Sequence, residues 1–528
     1  MAGAAKREVT GRHAFLVGAG ILLSRLVGLV RQRVFSYYFG LMSDAADAFN
    51  AAFRIPNFLQ NLFGEGVLSA SFIPVYSRLL AEGAEEESGR VAGAVGALLA
   101  LTTSAIVLVG VLATPLFIDA IAPGYHGAKR ELTIRLVRIL FPGAGLLVMS
   151  AWCLGILNSH RKFFLSYSAP VIWSLAMIAT LAIFGRRMDE SSLAVAYAWG
   201  SVAGSACMIG VQLPEVLRLV RRLRWRLDWQ SPHVRTVVRN FVPVFVSRGV
   251  VQISAYVDTL LASMLGTGAV TGLINAQILY TLPVSLFGMS VSAAELPAMS
   301  SVLGEETQVA AHLRQRLNAG LRRIAFFIVP SAMGFLALGD VIAGGLFQTG
   351  NFRAADSRYV WGILAGSSVG LLASTLGRLY ASTYYALRDT RTPLRFAVVR
   401  VTLTAALGYF CSIPLPVWMG IDPRWGVAGL TASAGIAGWL EFALLRRGLN
   451  RRIGATGLAP ALLAKLGASA VVAAAAGWGV KLAIGHHHPV KIACAVLAPY
   501  GMLYFAMTYL LGVEECAGAM RRLAGVRR

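Results

Sequence analysis

The chain has 528 residues; 56% are hydrophobic and only 14% charged, yet the net charge is +23. A soluble domain is about 45–50% apolar and about 25% charged, so a mean hydropathy of +0.65 excludes an ordinary soluble enzyme, a disordered chain and a soluble nucleic-acid binder. What remains is an all-α polytopic membrane protein whose basic excess needs a topological explanation.

A helix crossing the hydrocarbon core needs about 20 residues. Segments of this kind lie near 13–39, 48–77, 92–120, 134–158, 164–185, 191–212, 236–264 and 268–300. They continue near 320–347, 357–387, 394–413, 424–445, 458–484 and 489–512. That is about fourteen transmembrane helices. Lys6, Arg7 and Arg12 precede the first stretch, which holds arginines and runs past signal length, so no cleavable signal is expected. Two basic linkers, 213–235 and 446–457, divide the spans. The division gives an N-terminal lobe 1–212, a C-terminal lobe 236–445, a final pair 458–512 and a basic tail 513–528.

With both termini in the cytoplasm, roughly 25 basic residues fall inside and about 7 outside, the bias of the positive-inside rule. The inside set includes Arg161, Lys162, the run from Arg218 to Arg226, and Arg446 to Arg452. A weak internal echo fits the division. Leu62-Phe63-Gly64 follows Pro56, and Leu286-Phe287-Gly288 follows Pro283, each in the second span of its group. Repeated bundles holding a substrate at their interface are a common transporter plan.

Charges inside spans cost at least about 2.5–3.5 kcal/mol each at the centre and usually face a cavity or partner. The first span carries Ser24, Arg25, Gly28, Arg31 and Gln32 on one helical stripe. The second continues with Asp47, Asn50, Arg54, Asn57 and Asn61, and Glu65 one turn on; Pro56 is placed to bend it. The bland alternative, an arginine paired with Asp47 or Glu65 as helix glue, leaves the remaining polar positions unexplained. A wet cationic cavity accounts for the whole stripe. In the second group Arg248, Gln252 and Asp258 share the seventh span, and Ser374, Arg378, Ser382 and Tyr385 the tenth. Arg248 and Asp258 stand about 15 Å apart along a helix, so each needs another partner or stays wet. Arg378 is as readily explained by an acid on a neighbouring helix, and Glu295 and Glu441 read as interfacial.

The five cysteines form no CxxC pair, and small-residue packing fits them better than disulfides or metal. His486, His487 and His488 read as a solvated loop. No phosphate loop, metalloprotease motif, nucleophile elbow or clustered metal ligands occur, so no enzyme, cofactor or metal is expected.

Two stretches then become recognisable. Ser24-Arg25-Leu26-Val27-Gly28-Leu29-Val30-Arg31, and Asp47-Ala48-Phe49 through Arg54-Ile55-Pro56-Asn57 to Phe63-Gly64-Glu65-Gly66, resemble the first two spans of the MurJ (MviN) family of lipid II flippases. Leu346 to Phe352 and Tyr384 to Pro393 add to the likeness, which runs over roughly 10–450. The resemblance implies membership of the MOP exporter superfamily, with two six-helix lobes around a central cavity and two extra C-terminal helices. It implies movement of lipid II, an undecaprenyl-pyrophosphate-linked peptidoglycan precursor, from inner to outer leaflet of the bacterial inner membrane by alternating access. Membrane potential or a coupling ion would drive it.

By position, Arg25 and Arg31 match the family's pyrophosphate-facing arginines, Asp47 and Glu65 its acids, and Arg54 a commonly basic site. Gln60 and Ile278 stand where some members have arginine, and Arg248 is placed to restore one such contact. The substrate-binding set is therefore Arg25, Arg31, Ser24, Asp47, Arg54, Asn57, Glu65, Arg248, Asp258 and Arg378. Expected partners are lipid II or a related polyprenyl pyrophosphate, membrane lipids and envelope-synthesis enzymes. The rivals are another MOP-type exporter, of lipid-linked oligosaccharide or organic cation, and a non-transporting membrane scaffold for envelope synthesis.

Overall fold

The computed structural model describes residues 2–220, 222–228, 230–300, 305–485 and 487–523. Side chains are described outside 2–19, 21, 65, 246–255, 306 and 519–523. Helices are what this composition demands, because an apolar run in lipid must satisfy its backbone within its own segment. Every regular element among the described residues is helical. Internal packing divides the chain into two compact units, residues 1–268 with 349–351, and 269–348 with 352–528.

The first unit opens with α1 (Ala2–Phe39), α2 (Asp44–Phe63), α3 (Glu65–Ser71) and α4 (Ile73–Ala81). It continues through α5 (Glu85–Leu112), α6 (Thr114–Ile121), α7 (Gly127–Ser159), α8 (Phe163–Phe184), α9 (Glu190–Leu219) and α10 (Pro232–Ser263). Ser43 caps α2, its hydroxyl accepting from the Ala46 amide at 3.2 Å, and Asp44 and Asp47 favour the positive end of the helix. The second span is not one helix. Pro56 lies inside α2 without ending it; the chain breaks at Gly64, whose backbone is extended, and again at Phe72 before Pro74 opens α4. The enclosed centre of the unit is α7, where Gly143 and Gly155 let Val202 and Phe72 pack at 3.3 and 3.2 Å from where a Cβ would stand.

The second unit comprises α11 (Ala269–Pro283), a π-helical stretch Val284–Met289, α12 (Ser290–Ser300), α13 (Glu306–Phe347), α14 (Ala354–Ala386) and α15 (Arg391–Ser412). After the short α16 (Pro414–Trp418) come α17 (Gly426–Ile453), α18 (Pro460–Ile484), α19 (Pro489–Leu510) and α20 (Glu514–Leu523). The two echoed motifs thus fall on two irregularities, the break at Gly64 and the π stretch holding Phe287 and Gly288. Helix α13 is kinked at Leu338, and indoles from two neighbours donate to the carbonyls beside the kink: Trp361 to Leu336 at 2.9 Å and Trp478 to Ala337 at 2.7 Å. Gly370 of α14 and Gly435 of α17 meet backbone to backbone, the close approach that small residues allow in membranes. Gly370→Val forces these backbones apart and is expected to cost about 1–3 kcal/mol, read as a lower midpoint of thermal unfolding in detergent.

Between α14 and α15, Asp389 accepts from the Thr392 amide at 3.0 Å and hydroxyl at 2.7 Å, and pairs with Arg452 at 2.8 Å. The bonds from Thr392, with smaller help from Arg452, hold this carboxyl down at about 2. Because the folded value lies below the unfolded one, the stabilisation is complete above about pH 4 and disappears as pH falls toward 2. An Asp389→Asn variant should therefore unfold at lower temperature than the parent at pH 6, with the gap closing near pH 2.

Eleven helices among the described residues are long and apolar enough to cross a membrane. Of the expected spans outside that set, 13–39 and 236–264 include many residues whose side chains are not described, and 48–77 is the one broken into three helices. The seventh expected span, which the sequence groups with the second lobe, packs as α10 within the first unit. Cys153 and Cys516 are buried as packing residues, whereas Cys207 and Cys494 lie on exposed helix faces of the kind that meet lipid in a membrane protein.

Candidate substrate site

The start of α2 is an anchor. Asp47 is fully buried; its Oδ2 accepts from Lys129 Nζ at 3.0 Å and from the Gly268 amide at 2.8 Å. Lys129 also reaches Asp44 at 2.9 Å and lies 4.4 Å from the centre of the Tyr125 ring. Thr267 donates to Asp44 at 2.7 Å. Burial opposes ionisation of Asp44, but the bonds from Thr267 and Lys129 outweigh it and hold the carboxyl below its usual range. These contacts tie α2 to α7 and to the connection that follows α10. Nothing in the sequence spacing announced Lys129; its position just before an apolar run was the only signal.

Arg31 has a different environment. Among the described residues it makes no ion pair. Its guanidinium lies 4.4 Å from the centre of the Trp173 ring on α8, and one nitrogen stands 3.5 Å from Met177 Sδ. Trp173 is itself held by Phe53, 5.9 Å away and stacked, and by an indole bond to the Ser201 carbonyl at 3.1 Å. Aromatic support fixes the planar cation without neutralising it. Along the same face, Ser24 and Gly28 are half-buried and Arg25 exposed, and a Cβ on Gly28 would meet nothing within 4 Å. Arg31 is thus not glued to Asp47, whose buried oxygen is held by Lys129.

Farther along α2, Asn57, Gln60 and Asn61 are half-buried. Arg54 interacts electrostatically with Asp258 of α10, and its backbone carbonyl accepts from Tyr256 at 2.9 Å. Arg54 is therefore a partner that Asp258 needed. The side chains of Glu65, which opens α3, and of Arg248, within α10, lie outside the described residues.

In the second unit Arg378 is exposed on α14, and no carboxylate pairs with it among the described residues. Nearby polar groups are Tyr385, and Tyr280 with Ser374 at 2.7 Å. The two acids read as interfacial are both paired. Glu441 meets Arg400 at 3.1 Å, and Glu295 meets Arg316 at 2.9 Å and Arg323 at 3.3 Å. Arg400 and the Lys481–Asp340 pair, at 2.5 Å, are span charges whose signal, a charge in an apolar run, was present in the sequence. The polar positions therefore sort into engaged anchors (Asp47, Glu295, Glu441) and two cations, Arg31 and Arg378, that form no ion pair among the described residues.

A family model described as "Lipid II flippase MurJ" matches residues 35–500. The chain belongs to the MurJ family. It is 29% identical to the "Lipid II flippase MurJ" of Burkholderia cenocepacia, over 95% of this chain and 98% of that protein. It is 30% identical to the "Probable lipid II flippase MurJ" of Bdellovibrio bacteriovorus, over 98% of this chain and 97% of that one. In fold it is similar to "Lipid II flippase MurJ, inward closed conformation", with a TM-score of 0.75 at 22% identity over 94% of this chain and 98% of the other. An inward-facing MATE-family transporter of the MOP superfamily follows at a TM-score of 0.65 and 17% identity, over 81% and 95%.

Proposed function

We propose that this chain moves lipid II from the inner to the outer leaflet of the bacterial inner membrane, with both termini in the cytoplasm. The observation that carries the reading is Arg31, an intramembrane cation fixed by Trp173 and paired with no acid among the described residues of a MurJ-family chain. Arg31 and Arg25 bind the pyrophosphate through charge-assisted hydrogen bonds, with Ser24 and Asn57 as neutral donors on the same polar stripes. Asp47 and Asp258 serve at one remove, by holding Lys129 and Arg54 in place. Arg248 and Arg378 complete the set as further cations along the path, with Glu65 as an acid on the second-span stripe, and the polyprenyl tail stays in lipid.

Alternating access then carries the headgroup across. An inside-negative potential favours outward movement of an anion by about 2.3 kcal/mol per charge per 100 mV, enough to give direction without ATP. A coupling ion is the alternative source of drive, and envelope-synthesis enzymes are the partners that would use the product. The reading is tested by Arg25→Ala and Arg31→Ala, made singly and assayed for lipid II translocation in cells. Loss of translocation at normal membrane levels supports it; normal translocation by both variants removes the arginines from the site.

A further inference from the structure

A groove on the first unit, between α7 and α9 and away from Arg31, encloses about 550 Å³ and is lined by Glu131, Ile134, Arg135, Arg138, Ile139 and Trp199. Arg135 and Arg138 are exposed and stand one turn apart on the same face of α7. Their neighbour Arg130 is fully engaged, donating twice to Asp119 at 2.7 and 2.8 Å. Arg135 and Arg138 have no such acid: among the described residues neither forms an ion pair, and Glu131 on the groove's edge joins neither. Trp199, 58% exposed, closes the other side.

Depth along the helix says what can reach these groups. Directly after Arg138 comes the uncharged run 139–157, about 28 Å of helix, close to the thickness of a hydrocarbon core. The two guanidiniums therefore sit at headgroup depth, and an exposed tryptophan is the side chain that settles there. Two cations a turn apart, in no ion pair among the described residues and with isoleucines running toward the core, match a phosphate joined to an acyl tail. Basic pockets between membrane helices hold lipid headgroups in this way.

We propose that this groove binds the anionic phosphate headgroup of a membrane phospholipid, with Arg135 and Arg138 on the phosphate and Ile134, Ile139 and Trp199 along the upper acyl chain. The test uses the purified full chain in detergent, with dioleoyl phosphatidylglycerol titrated and bound lipid counted by native mass spectrometry. An Arg135→Gln/Arg138→Gln double variant is expected to need about tenfold more phosphatidylglycerol for half-occupancy of the tightest site. Trp199→Ala should weaken it about threefold, and Lys491→Ala, at the start of α19, should leave it unchanged. Phosphatidylcholine should bind parent and double variant alike. Unchanged phosphatidylglycerol retention in the double variant overturns the proposal, as does equal loss in Lys491→Ala. Protection of the parent by inorganic phosphate as strong as by the lipid overturns the lipid assignment. Because both arginines are exposed, the double variant is expected to run as the parent does on gel filtration. Should it aggregate, the Trp199→Ala comparison decides by itself: an unchanged titration there also overturns the proposal.

Discussion

Arg31→Ala is expected to abolish measurable lipid II translocation while leaving the protein at parental levels in the membrane. The guanidinium makes no ion pair among the described residues, so removing it strands no buried acid and disturbs folding little. What is lost is a cation aimed at a phosphate-bearing headgroup. Truncating one member of a charge-paired contact in a desolvated site costs about 2–5 kcal/mol, or about thirtyfold and upward in affinity. Arg31→Lys separates charge from shape: it keeps a positive group but loses the planar fork and the stacking on Trp173, and should recover only part of the activity. Trp173→Ala should resemble Arg31→Lys, because the charge remains and its orientation is lost.

The second large effect falls on stability. Asp47→Ala removes a fully buried carboxylate from Lys129 and from the Gly268 amide, leaving a cation that is 13% exposed with Asp44 as its remaining acid. Breaking a buried pair from one side costs 3–5 kcal/mol, and the surviving contact to Asp44 places this case near about 3 kcal/mol. The expected result is a sharp fall in folded protein recovered from membranes and in the midpoint of thermal unfolding. Activity per folded molecule should fall less than in Arg31→Ala. Lys129→Met should be worse than Asp47→Ala, since it leaves a fully buried carboxylate without the Lys129 ammonium. The opposite ranking of activity losses would make Asp47 a direct contact of the substrate instead of an anchor.

These two residues also mark what could be read before the structure. Arginines at 25 and 31 are conspicuous in an apolar run because a membrane tolerates charge only for a reason, and helical spacing places them on one stripe. Their surroundings were not legible. Trp173 lies 142 positions from Arg31, on a helix without a charged residue, and no periodicity links the two. Asp47 looked like a cavity acid for the same reason that Arg31 looked like a cavity cation; only its burial against Lys129 separates anchor from contact. Asp258 demanded a partner or water, and the fold supplies Arg54 from across some two hundred residues.

The fold was legible in the same uneven way. Apolar runs mark where helices lie, since lipid leaves the backbone no alternative. They do not mark where a helix stops inside a run. The expected span at 48–77 breaks at Gly64 because that glycine takes an extended conformation, whereas Pro56, the more obvious breaker, sits within α2. The echoed Leu-Phe-Gly motif was the better signal, since its second copy falls in the π-helical stretch of the other unit. Grouping was harder still: a basic linker separates α10 from α9, yet α10 packs with the first unit, because Tyr256 and Asp258 find their partners on α2.

The central claim is that Arg31, which forms no ion pair among the described residues, carries the pyrophosphate of lipid II across the membrane. The most direct measurement is externally exposed lipid II in a bacterium depleted of its own flippase and expressing either this chain or its Arg31→Ala variant at matched membrane levels. The account predicts surface-exposed lipid II and growth with the parent chain, and neither with the variant. Surface exposure by Arg31→Ala equal to the parent would contradict the cationic site, and its absence with the parent chain would contradict the flippase itself.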